Sequence, residues 1–322
     1  MDTAKKNKFD KIRFAIAPMA GITDKAFRRI CLGWDADISW SEMVSSEGLV
    51  RNPLEKNKSL ELAEKFAKSE NNYWVQIFGA NPRSMAKAAG IIEKEINPLG
   101  IDINLGCPVK KAQKSGYGAC QMGNMPAVLK IVGEIKKNVR IPLSLKTRLG
   151  LNDPEEILGW APKLEKAGIN QLVVHARTLK GMFKDEPDWK AVKKLNKILK
   201  IPVIYNGGIK SPQNALFYAR KTGCKTLMIG RAAIGRPWIF KEIKEYLNDG
   251  KIIKISDADK KKTVLEHAAL VCKYYGEEKL ITFRTHLSAY LKGTKNASEL
   301  KLKAVKIKNF SDIENLVGKI RF

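Results

Sequence analysis

The sequence predicts an α/β chain, a TIM (β/α)8 barrel over residues 1–250 followed by a small all-α helical bundle domain over 251–322. Three observations carry this expectation. Short apolar runs of strand character alternate with amphipathic helical runs from residue 13 to about residue 247, the pattern of parallel strands joined by βαβ crossovers. There are eight such units, which in a stretch of this length is the arithmetic of one barrel of about 250 residues. Beyond Asn248-Asp249-Gly250 no strand pattern recurs, and only helical periodicity remains.

In chain order, the strands are expected at Arg13–Pro18, Ile38–Val44, Tyr73–Phe78, Gly100–Leu105, Pro142–Thr147, Gln171–His175, Pro202–Asn206 and Thr226–Ile229. Each is short and mostly apolar, as a strand covered on both faces requires. The helices between and after them are expected at Lys25–Gly33, Ser84–Ile96, Met125–Lys137, Glu155–Ala167, Trp189–Leu199, Gln213–Lys221 and Trp238–Leu247. The tail adds Ala258–Tyr275, Ile281–Lys292, Ala297–Val305 and Asp312–Lys319. A doubly wound sheet is the competing architecture, but no complete G-x-G-x-x-G occurs. Gly116-Tyr117-Gly118 comes nearest and does not follow the first strand.

Composition narrows the function. The chain has 44% hydrophobic residues over 322 positions, enough for a full core. Its 59 basic and 33 acidic residues give a net charge of +26. Both the barrel and the tail are basic, so a polyanion such as RNA is the expected partner, ahead of an anionic membrane surface. The start, MDTAKKNKFDKIRF, has no apolar signal core, and no run reaches the roughly 18 apolar residues of a membrane span. A soluble cytoplasmic monomer is expected. Cys31, Cys107, Cys120, Cys224 and Cys272 are scattered, with no C-x-x-C pair and three histidines in all. That excludes a clustered structural zinc site and favours reduced thiols. Cys120 is expected to pack against the helix-side core.

In such barrels the reactive face lies at the C-terminal ends of the strands. Polar groups crowd those positions here: Met19, Ser41-Glu42-Met43, Gln76, Asn104 and Cys107, Lys146 and Arg148, His175 and Arg177, Asn206-Gly207-Gly208 and Gly230-Arg231. Gly207-Gly208 after the seventh strand and Gly230-Arg231 after the eighth offer unobstructed main-chain N–H groups where barrels bind phosphate. Lys146 is costly to bury unless it meets an anion or an electron-rich ring. This set suits a flavin mononucleotide, and the residues by themselves also accommodate a phosphorylated sugar.

The chain resembles the tRNA-dihydrouridine synthases of bacterial type along nearly its whole length. The matching stretches are A-P-M-A-G-I-T-D (Ala17–Asp24), Q-I-F-G (Gln76–Gly79), D-I-N-L-G-C-P (Asp102–Pro108), G-Y-G-A (Gly116–Ala119), K-T-R (Lys146–Arg148), H-A-R-T (His175–Thr178), N-G-G-I (Asn206–Ile209) and G-R-A-A-I-G-R-P-W-I-F (Gly230–Phe240). The tail stretch R-T-H-L-S-A-Y-L-K-G (Arg284–Gly293) is similar to the family's helical domain. The resemblance implies reduction of the C5–C6 double bond of uridines in tRNA, using FMN and NADPH or NADH. It implies that Pro18, Met19, Ala20, Gln76, Lys146, His175, Asn206, Gly207, Gly208, Gly230 and Arg231 hold the flavin. By the same likeness, Cys107 is the proton donor, and Asn104 and Arg148 contact the uracil; Arg177 is expected beside them as a substrate-binding residue, and no metal is expected. Gly208 departs from an aspartate frequent in relatives, and Arg177 and the loop Leu179–Asp185 vary in such enzymes, which makes this recognition loop the least transferable part. Lys110-Lys111 are placed to meet RNA phosphate. Two other functions share the rim chemistry: a flavin-dependent dehydrogenase of a free pyrimidine-like molecule, and a non-catalytic tRNA-binding barrel.

Overall fold

The computed structural model describes residues 12–51, 72–182 and 184–322. Eight parallel strands close on themselves in chain order: β1 (Arg13–Ile16), β2 (Ile38–Ser45), β3 (Tyr73–Phe78), β4 (Gly100–Leu105), β5 (Leu143–Arg148), β6 (Gln171–His175), β7 (Val203–Asn206) and β8 (Thr226–Ile229). Closure comes from β1 pairing with β8, Arg13 opposite Thr226 and Ile16 opposite Ile229. The expected TIM barrel and the helical C-terminal region are both present.

Element ends differ from expectation by a few residues, for local reasons. β1 stops at Ile16, and Ala17-Pro18 already belong to the rim. The helix after β3 begins at Pro82 rather than Ser84, because the Asn81 side chain accepts the N–H groups of Arg83 and Ser84 while Pro82 occupies the first turn. The Ser211 side chain caps Pro212–Thr222 in the same way, one residue earlier than expected. In β2 the pairing register shifts between Trp40 and Met43, a bulge that brings Met43 level with Gln76 at the mouth.

Three apolar cores support this frame. The barrel interior is filled by Ala15, Ala17, Ile38, Trp40, Trp74, Val173, Ile204 and Met228. Trp40 and Trp74 stack there at 5.7 Å with rings nearly parallel, so two large rings on adjacent strands are matched by the small residues Ala15 and Ala17. A larger core joins the outer strand faces to the surrounding helices. A third belongs to the helical region after Gly250, where Val264, Phe283, Leu287, Tyr290 and Val317 are buried.

The helical region is seated on the barrel near the β1 and β8 ends. Phe27 of the helix Lys25–Gly33 packs on His286 at 4.8 Å and His267 at 5.8 Å. The Lys25 N–H donates to the Tyr275 hydroxyl at 2.9 Å, and Trp34 Nε1 donates to Thr263 Oγ1 at 3.1 Å. Burial drives both histidines toward the neutral form, His286 down to about 4, as an apolar interface requires. The tightest approach is at Gly235, φ +72°, where a Cβ would lie 2.4 Å from the main-chain carbon of Ala289. Gly235→Ala should therefore strain the loop after β8 and lever it off the helix Leu280–Tyr290. A loss of about 1–3 kcal/mol is expected, read as a lower urea midpoint with an unchanged slope.

Candidate active site

A cavity of about 840 Å³ opens at the C-terminal ends of the strands, within the size range of cofactor sites. All fifteen residues expected for the site line it: Pro18, Met19, Ala20, Gln76, Asn104, Cys107, Lys146, Arg148, His175, Arg177, Asn206, Gly207, Gly208, Gly230 and Arg231. Sequence reasoning missed Lys210 and Lys292 on the same wall. Lys292 comes from the helical region; it lies in the quoted tail stretch, but strand periodicity gives no means of carrying a tail residue to the barrel rim. The side chain of Lys111 lies outside the described residues, as does Phe183 in the loop after β6.

Cys107 is half-buried on the loop that leaves β4. That loop is held on several sides. Asn104 Oδ1 accepts the N–H of Cys107 at 3.1 Å and of Gly106 at 3.3 Å. Arg148 Nε donates to the Gly106 carbonyl at 3.0 Å, and the Ala119 N–H to the Cys107 carbonyl at 3.0 Å. Gln113 Nε2 donates to the Pro108 carbonyl at 2.8 Å. Thus the main chain on both sides of the thiol is tied down by hydrogen bonds, which fixes its height above the cavity floor. All five cysteines are free thiols. Cys120, expected in the helix-side core, instead sits half-buried in the turn Gly118–Gly123. Its sulfur faces the carbonyls of Tyr117 at 3.3 Å and Gln113 at 3.8 Å.

Charge is the second feature of the mouth. Lys146 Nζ donates to Asn206 Oδ1 at 3.2 Å. Burial pulls the Lys146 ammonium down to about 8, with Arg148 adding repulsion and Asp102 opposing both. Burial likewise lowers Arg148, helped by the charge of Arg177. His175 is held well below its usual range, first by burial and then by Lys146, Arg148, Arg177 and Arg231. The imidazole is therefore neutral. Because a guanidinium only donates, the 3.2 Å contact from Arg177 Nη1 makes His175 Nε2 the acceptor and leaves the proton on Nδ1. Six cationic side chains, Lys146, Arg148, Arg177, Lys210, Arg231 and Lys292, thus line the cavity, a field that favours an anionic or electron-rich occupant.

Two arginines also anchor the loop after β6. Arg148 Nη1 donates to the carbonyls of Thr178 and Met182, each at 3.1 Å, and Arg177 Nε to that of Asp185 at 2.5 Å. Both lie at the cavity wall, so each residue expected to meet substrate also braces the segment beside it. Gly208 has φ +71°, and a Cβ there would lie 2.5 Å from the Tyr218 hydroxyl and 2.6 Å from Pro187. Tyr218, stacked on Tyr205 at 4.7 Å, closes the space beside Gly208.

The sequence profile of the dihydrouridine synthases matches residues 15–319. The chain is 40% identical over 285 residues to tRNA-dihydrouridine synthase B of Shewanella oneidensis, covering 87% of each protein. It is 34% identical over 309 residues to the probable tRNA-dihydrouridine synthase of Aquifex aeolicus, covering 95% of each. Among solved structures it is similar to a 2-naphthoyl-CoA reductase complex, with a TM-score of 0.58 and 14% identity over 72% of this chain and 50% of that one. It is also similar to histamine dehydrogenase from Rhizobium sp. 4-9, with a TM-score of 0.57 and 12% identity over 80% of this chain and 49% of that one. The last two likenesses concern the fold.

The charge arrangement has a measurable signature. With its folded value below its unfolded one, Lys146 carries its full burial cost below about pH 8. That cost fades as pH rises toward the unfolded lysine value near 10.4. In ¹³C-dimethyl-lysine NMR of the flavin-free protein, one resonance should titrate near pH 8 and be missing in Lys146→Arg. A Lys146 midpoint at the ordinary lysine value would remove the charge imbalance inferred for the mouth.

Proposed function

The chain belongs to the dihydrouridine synthase family and is an oxidoreductase, and from that premise we propose that it reduces the C5–C6 double bond of specific uridines in tRNA to 5,6-dihydrouridine, with FMN as cofactor and NADPH or NADH as reductant. The observation that carries the reading is the convergence of six cationic side chains and one fixed thiol on a single cavity. The residues fit a flavin. The open main-chain of Gly207-Gly208 and Gly230-Arg231 suits its phosphate, and Lys146, short of negative charge, suits an electron-rich ring. Pro18, Met19, Ala20, Gln76, His175 and Asn206 complete the cradle.

When held by this cradle, FMN would supply hydride chemistry for C6 of the uracil. Negative charge then grows toward O4, and the electropositive wall stabilises it. Cys107, presented from the opposite side, donates its proton to C5 and recovers one from solvent. Its fixed backbone keeps the donor within reach. Asn104 and Arg148 orient the base, and Arg177 positions the loop beside it. The target base leaves its stack to enter the cavity, which costs least in a loop of the RNA.

In this reading residues 1–250 are the catalytic domain and residues 251–322 grip the tRNA. The +26 charge supports phosphate contacts on both, and Lys292 brings a helical-region cation to the rim. The protein acts as a monomer in the cytoplasm; among the described residues no helix is long and apolar enough to cross a membrane. The test is dihydrouridine formation on unmodified tRNA by wild type and Cys107→Ala. The variant should lose roughly two orders of magnitude in rate or more while keeping its flavin. Near-normal turnover by the variant would end the proton-donor role. Turnover of free uracil but not tRNA would move the substrate to a small molecule.

A further inference from the structure

Beneath Cys107 lies a chain of side chains whose hydrogen bonds run in one direction. Asp102 of β4 is fully buried. Its Oδ2 accepts from Gln76 Nε2 at 2.6 Å, and Gln76 Oε1 accepts from Asn104 Nδ2 at 2.8 Å. Asn104 Oδ1 then accepts the N–H groups of Cys107 and Gly106. Neither end of this chain can reverse, because an ionised carboxylate only accepts and a peptide N–H only donates. The two amides between them could each be turned over at little steric cost, and the ends forbid it.

We propose that Asp102 is the positioning residue of the site: its carboxylate dictates the orientation of Gln76 and Asn104, and through them holds the backbone that carries Cys107. In that orientation each amide donates down the chain toward Asp102 and accepts from the side of Cys107. Burial pushes the Asp102 carboxyl up to about 6. The hydrogen bond from Gln76 and then the charge of Lys146 oppose the rise. It is therefore mostly ionised at neutral pH, as the directed chain requires. Asn104 also reaches Met43 Sδ at 3.8 Å, a weak contact that leaves the orientation to its stronger partners.

The alternative is that Asp102 merely balances the charge of Lys146. The inference rests on Cys107 being the reacting group, so its primary readout is one that does not need tRNA turnover. That readout is the rate at which iodoacetamide alkylates Cys107 in the flavin-free protein, followed by peptide mass spectrometry with the thermal midpoint measured in parallel. Asp102→Asn lets both amides turn over and frees the loop, so alkylation should speed up several-fold. Combining Asp102→Asn with Gln76→Glu places an acceptor-only group at position 76, which again takes the Asn104 N–H, and should return the rate to within about twofold of wild type. If the single variant does not fold, the double variant alone decides by matching or missing the wild-type rate. In tRNA assays with saturating flavin, Asp102→Asn should lower kcat about tenfold or more, as loss of an orienting partner typically does, with KM for tRNA unchanged. A single variant that shifts the Lys146 titration while Cys107 alkylates at the wild-type rate would reduce Asp102 to a counter-ion. A folded double variant that stays fast would overturn the directed chain.

Discussion

The backbone that carries the Cys107 thiol is fastened from several sides, and much of the mouth is arranged around that constraint. The Gly106-Cys107 segment is held through its N–H groups by Asn104 and through its carbonyls by Arg148 and Ala119. These partners come from the end of β4, the end of β5 and the turn Gly118–Gly123, so three elements share the task. The barrel makes this possible because adjacent parallel strands end side by side. Asn104 is directly opposite Lys146, and Arg148 opposite His175, in the strand registers.

The same geometry explains the charge. Strand ends that converge on an axis bring their side chains into a small volume, so basic residues on β5, β6 and the β8 end repel one another there. Burial and mutual repulsion are answered in part by Asp102 at the base of the site. The remainder of the imbalance is useful. An electron-rich ring or a phosphate entering the mouth would relieve it, with donors already in place. The helical region contributes to the same rim through Lys292, and its seat on Phe27 and Gly235 sets where that lysine sits.

The barrel was legible because its strands alternate with amphipathic helices and end in polar or glycine residues at regular intervals. Four strands, β3, β4, β6 and β8, have the ends expected from pattern alone. The site was legible as a set, because position at a strand end determines which side chains reach the mouth. What could not be read were contacts made by tertiary approach. Nothing in the pattern shows that Arg148 spends its guanidinium on the carbonyls of Gly106, Thr178 and Met182, or that Tyr218 occupies the space beside Gly208. Nor does it place Lys292 beside the barrel or turn the Cys120 sulfur toward two loop carbonyls. Asp102 read as one letter of a motif, and only its partners reveal a directed chain.

If this electropositive mouth is a flavin site with Cys107 facing the reacting position, a crystal structure of the protein soaked with FMN will show the phosphate against Gly207-Gly208 and Gly230-Arg231. The ring will lie within hydrogen-bond reach of Lys146 and Gln76, with open space between it and the Cys107 thiol. A flavin bound elsewhere, or one whose ring fills the space in front of Cys107, would contradict this assignment.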